Sequence, residues 1–204
     1  MSFADEFRAV LCPGMSLPNE FEQLFNWLER SGRVVEHHGV RHGEAPRGAE
    51  FYFMPEGNQY LHHWFGTDDP KVIGRVSIIA RTGADGSMAG IWLDGSGGQK
   101  FVHLGSGSGS TLTCVLAADP VDFLRLTAIG YDELCWPFEF DTAPSADGDV
   151  AGVDDPEYRE WVTSTFSVEI PETASEIVKQ PDEMQTKEPR DEFCRWLAAI
   201  IDKP

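Results

Sequence analysis

The spacing of polar and apolar positions changes twice along the chain. Phe3, Phe7, Val10 and Leu11 recur at helical intervals behind Ser2 and Asp5, a pairing that caps helix starts, and Pro13-Gly14 ends the run. Pro18 opens a second stretch in which Phe21, Leu24, Phe25 and Leu28 follow the i, i+3, i+4, i+7 rule up to Ser31-Gly32. Each predicted helix has one apolar face and needs a flat surface to bury it. From Val34 to Ala118 the pattern shortens to β-branched and aromatic runs separated by Gly, Asp, Asn and Pro. These are Val34–His38, Ala49–Met54, Tyr60–Phe65, Val72–Ala80, Met88–Asp94, Lys100–Leu104 and Thr111–Ala117. With hairpin-length connections such as Pro55-Glu56-Gly57-Asn58, they predict a mainly antiparallel or mixed sheet.

Helical periodicity then returns. Asp119-Pro120 supplies an N-cap and an N1 proline ahead of Phe123, Leu124 and Leu126, with Gly130 as the stop. Asp155-Pro156 repeats the device before Tyr158, Trp161, Val162 and Phe166. A last helix from about Asp191 carries Phe193, Trp196, Leu197, Ile200 and Ile201 on one stripe. Between them, Asp141 to Asp154 is rich in Ala, Gly, Asp, Pro and Ser and reads as an exposed loop. Helices, then strands, then helices define an α+β fold. We expect one domain over 1–204, with N-terminal helices in 1–32, the sheet in 33–118 and C-terminal helices with an acidic loop in 119–204.

Composition adds a partner class to this outline. Sixteen basic against 34 acidic side chains give a net charge of −18. Residues 1–136 hold 17 acids and 10 bases (−7), whereas residues 137–204 hold 17 and 6 (−11), so the last third is the acidic pole. Such a chain repels nucleic acid and anionic membranes and steers towards a basic protein partner. Its apolar runs fall short of the roughly 18 residues that span a bilayer. The start, Met1 to Glu6, has acids where an export signal places positive charge, which predicts cytoplasmic residence. Cys12, Cys114, Cys135 and Cys194 lie far apart with no C-x-x-C, as small core residues in a reducing compartment would.

Candidate chemistry is sparse. Gly105-Ser106-Gly107-Ser108-Gly109-Ser110 lacks the Lys-Ser/Thr of a phosphate loop, does not complete G-x-G-x-x-G or G-x-S-x-G, and precedes a strand, so it predicts a turn. His37-His38 and His62-His63 are neighbours on predicted strands, where adjacent side chains point to opposite faces, so each pair offers one ligand to a common site. His38 and His42 are four apart, but Gly39 breaks any helix and the zinc-protease glutamate is missing. No metal site and no cofactor are expected. Asp85, Asp94 and Asp68-Asp69 are available carboxylates, and Trp64, Trp92, Trp136 and Trp161 available rings, without a spacing that sets either to catalysis or stacking. No catalytic residue is expected. The candidate partner surface is the loop and helix start bearing Asp147, Asp149, Asp154, Asp155, Glu157 and Glu160.

Four stretches carry a family likeness: Leu17–Gly32, Met88–Leu134, Asp155–Val178 and Asp191–Leu197. Within them stand the Leu17-Pro18 helix start, the Trp92 strand, the strand-turn-strand through Leu104-Gly105-Ser106, and Asp122-Phe123-Leu124 leading to Gly130-Tyr131. In these the chain resembles the SUKH superfamily, whose bacterial members are largely immunity proteins for polymorphic toxins. The family often has an acidic residue in the Gly-Ser turn, where this chain has Gly107-Ser108-Gly109. The resemblance implies a mixed α+β fold, residence in the cytoplasm and tight binding to a toxin domain, often a nuclease. Other branches are scaffold or regulatory proteins. That alternative stays open, as does a metal-dependent enzyme or small-ligand binder built on the His62-His63 segment.

Overall fold

The computed structural model describes residues 1–201. Helix α1 (Phe3–Val10) starts at the predicted capping box, the Ser2 hydroxyl accepting from the Asp5 amide at 3.2 Å and the Asp5 carboxylate accepting from the Ser2 amide at 3.2 Å. Helix α2 (Asn19–Arg30) follows. The sheet is formed by β1 (Val34–His37), β2 (Val40–Gly43), β3 (Tyr52–Gly57), β4 (Val76–Arg81), β5 (Met88–Leu93), β6 (Gln99–Leu104) and β7 (Thr113–Ala117). Neighbours in sequence are neighbours in space, and every pairing is antiparallel. Helices α3 (Leu61–Phe65) and α4 (Pro70–Ile73) interrupt the path from β3 to β4. Helices α5 (Pro120–Ala128), α6 (Pro156–Phe166) and α7 (Glu192–Ile201) close the chain.

Alternation along the strands assigns side chains to two faces. Phe53, Ala89, Ile91, Phe101, Cys114 and Leu116 face the layer of α1, α2, α5 and α6. Val76, Ile78, Met88, Trp92, Val102 and Leu104 face α3, α4 and α7 through Leu61, Phe65, Val72, Phe193 and Leu197. A bulge between Ile78 and Ala80 turns Ile79 and Ala80 to the first face together. Because β4 and β5 are covered on both sides, they read as nearly unbroken apolar runs.

The predicted α+β class and its helix placement match this architecture. Three predicted strand features do not. Tyr60–Phe65 is not a strand: Leu61 and Phe65 are buried at i, i+4 and Gly66 closes the turn in a left-handed conformation, which is helical spacing over a segment too short to announce it. Val72–Ala80 is split, since Asp69 caps α4, Pro70 takes N1, and the strand begins only at Val76. Pro55, Glu56 and Gly57 belong to β3 and not to a hairpin, because the route to β4 runs through α3 and α4. A strand not predicted, β2, pairs with β1 across a tight turn at His38 (φ 50°) and Gly39 (φ 79°).

Candidate functional site

From Pro137 to Tyr158 the chain carries seven acidic residues and no basic one. The segment is pinned to the body at several points. The Tyr131 hydroxyl donates to the Thr142 carbonyl at 2.7 Å, the Asp132 amide to Ala151 at 3.1 Å and the Val153 amide to Gly130 at 2.8 Å. Gly130 has φ 99°, and a Cβ there would stand 2.5 Å from the Val153 oxygen, so this attachment requires glycine. Val150 is buried, and the Ser145 amide bonds back to its carbonyl at 3.0 Å. The predicted exposed loop is therefore a fixed ledge.

Asp147 and Asp149 are exposed at the tip of the Ser145–Val150 turn, and Asp154 is exposed just before α6. Glu157 and Glu160 are exposed on α6, one turn apart on one side. Asp155 differs from the other five and is corrected here as a contact residue. Its side chain is only 7% exposed, because the guanidinium of Arg33, itself 2% exposed, binds it in a two-pronged pair at 2.5 and 2.8 Å. The same carboxylate accepts from the Arg47 amide at 2.7 Å and caps α6 through the Tyr158 amide at 3.1 Å. Burial alone would raise its pKa, but the Arg33 guanidinium and the two amides outweigh it and hold the carboxyl below its usual value. Arg33 also reaches Glu157 at 2.8 Å and lies 4.7 Å over the Trp27 ring, which stacks on Tyr158 and Trp161.

The sequence reading missed Phe138. It is 76% exposed in a short 3-10 turn that leads straight into the acidic ledge, and its ring lies 6.0 Å from Trp136. Phenylalanine is among the residues enriched at protein interfaces, and in the chain Phe138 is followed by the acids Glu139 and Asp141. In sequence it is one of 13 phenylalanines, and its environment is set by the turn alone.

The Gly-Ser segment between β6 and β7 is a turn, as predicted, and is built around a carboxylate. Asp85, from the turn before β5, accepts from Ser87 Oγ at 2.9 Å, Ser106 Oγ at 2.8 Å and the Ser110 amide at 2.7 Å. A Cβ on Gly109 would meet that carboxylate at 2.6 Å. Within the turn, the Ser106 hydroxyl and the Ser110 amide serve Asp85, while the Gly107 and Gly109 amides bond to the Ser110 carbonyl and Ser106 Oγ.

His103 is fully buried near the end of β6. Its Nδ1 donates to the Leu112 carbonyl at 2.9 Å, which leaves Nε2 to accept from Thr82 Oγ1 at 2.8 Å. Burial pushes its pKa down to about 4. Between that value and the usual 6.5, the unfolded chain takes up a proton that the folded chain refuses, so stability falls as pH drops through the window. Urea unfolding should show a slope on the order of 1 kcal/mol per pH unit from this group, and His103→Gln should flatten it.

Of the adjacent histidines, His37 stands on β1 as predicted, 4.1 Å from His38 in the β1–β2 turn, whereas His62 and His63 sit on α3 and not on a strand, with ring centroids 3.7 Å apart. Among the described residues no group of three or more His, Cys, Asp or Glu side chains converges to hold a metal. All four cysteines are buried and free. No helix of the described residues is long and apolar enough to cross a membrane. Comparison with family models, with curated proteins and with solved structures gives no match to this chain.

Proposed function

We propose that the chain is a cytoplasmic binding protein that neutralises a basic, nuclease-type toxin domain by occupying its cationic surface. The observation that carries this reading is the fixed acidic ledge of Asp147, Asp149, Asp154, Glu157 and Glu160, preceded in the chain by the exposed Phe138. A nuclease must present lysines and arginines to phosphates, and an acidic ledge competes for them with electrostatically accelerated association. Rigidity helps, because a ledge already held by backbone bonds loses little conformational freedom on docking. The resemblance to SUKH immunity proteins supports the same reading.

The test is co-expression with the toxin domain encoded beside this gene, followed by isolation of the complex at low salt. The expected result is rescue of growth and a stable pair. Absence of both, with the two proteins soluble, would sink the proposal. Housekeeping proteins recovered in its place would favour the scaffold reading.

A further inference from the structure

A second surface has the opposite charge. The outer edge of β7 is covered at its start by the segment leading to α7: the Thr113 amide donates to Asp182 O at 2.8 Å and the Met184 amide to Thr111 O at 2.7 Å. Farther along, this cover ends and a groove of about 410 Å³ opens beside Val115–Ala118. The edge of that strand and Ile177 line one part of it, and Lys179, Gln180, Arg190, Asp191, Glu192 and Arg195 line the rest.

These three cations are exposed, and none forms a salt bridge among the described residues. Lys179 Nζ donates to the Ser175 and Glu176 carbonyls at 3.3 and 2.5 Å, and Arg195 donates to the Arg190 carbonyl. The groove's own carboxylates are already occupied. Asp191 accepts from the Val115 amide at 2.9 Å and the Cys194 amide at 2.9 Å, and Glu192 accepts from Lys100 at 2.5 Å. In a chain with twice as many acids as bases, three exposed positive side chains without a salt-bridge partner among the described residues gather around one groove.

We propose that this groove binds a short, extended acidic segment of a protein, its carboxylates on Lys179, Arg190 and Arg195 and its apolar side chains on the Val115–Ala118 edge. Charge complementarity sets the sign of the ligand, and that edge with Ile177 sets its mixed character. A long polyanion such as nucleic acid meets the acidic field of the surrounding surface, whereas a short segment meets the groove alone. The inference is independent of the toxin reading, which concerns the Phe138 ledge.

The test uses the full chain and a labelled ten-residue peptide alternating glutamate and valine, with a lysine-valine peptide, a ten-nucleotide single strand and inorganic phosphate as further probes. Saturable binding of the glutamate peptide is expected. It should fall at least about tenfold in R190E/R195E and weaken similarly as salt rises from about 50 to about 500 mM. Both arginines are exposed, so the variant should keep the wild-type circular dichroism and unfolding midpoint. Arg190→Lys should retain most of the affinity. Binding that is absent, equal for the lysine peptide, or unchanged in R190E/R195E would overturn the proposal. So would preference for the oligonucleotide, or displacement of the peptide by phosphate at equal concentration.

Discussion

Arg33→Met is expected to destabilise the protein by about 3–5 kcal/mol, the usual cost of removing one member of a buried ion pair and leaving the other charge uncompensated. Arg33 follows the left-handed Gly32 at the end of α2 and reaches across to the start of α6, so the pair joins the N-terminal helices to the acidic pole. Its two acidic partners are unequal. Asp155 is nearly buried, whereas Glu157 is 60% exposed, so Glu157→Gln should cost under about 1 kcal/mol. The Asp155 contribution has a defined pH dependence. Its folded pKa lies below the ordinary 3.8, so the stabilisation is present above that value and is lost as pH falls through the folded one. Urea unfolding at neutral pH checks the magnitude. A loss under about 1 kcal/mol for Arg33→Met would show that the pair does not tie the two ends together.

Phe21→Ala should be equally damaging for an apolar reason, at about 3–5 kcal/mol. Phe21 is fully buried and stacks on Phe101 at 5.0 Å, with Phe25, Phe53 and Phe123 within 6.0 Å. One ring therefore joins α2, β3, β6 and α5, and its removal opens a cavity where the helical layer meets the sheet centre. Phe138→Ala is the control of equal chemistry, and its exposed position should make it neutral within about 0.5 kcal/mol. If the ledge binds a partner through Phe138, the order of the two variants reverses in affinity: Phe138→Ala weakens the complex while stability is unchanged.

Much of the architecture could be read from local chemistry. The Ser2–Asp5 box, the Asp-Pro starts of α5 and α6 and the apolar stripe of α7 all depend on residues a few positions apart, and all stand where the pattern puts them. What escaped the pattern was decided by distant partners or very short segments. In α3 a five-residue helix gives little more than one turn of periodicity, and its two histidines mask Leu61 and Phe65. Asp155 looks like one more surface acid until Arg33, 122 positions away, is placed against it. The ledge could be read as acidic and exposed, but not as fixed, because Gly130, Tyr131 and Asp132 hold it through backbone bonds that no composition reports. The basic groove was hidden for the same reason, its three cations being scattered through the most acidic third of the chain.

The proposed role of the ledge as a partner surface is tested most directly by the association rate with a basic nuclease-type toxin domain, taken from the gene's own neighbourhood, followed against salt for the wild type and for a variant carrying Asp147→Lys, Asp149→Lys, Asp154→Lys and Glu160→Lys. All four positions are exposed, and the variant leaves the Arg33–Asp155 pair untouched. Fast, salt-sensitive association is expected for the wild type. For the variant the expected result is association about 10- to 100-fold slower at low salt with a flattened salt dependence, loss of protection in cells and an unchanged unfolding midpoint. Equal rates and equal protection for the two proteins would overturn the role proposed for the ledge.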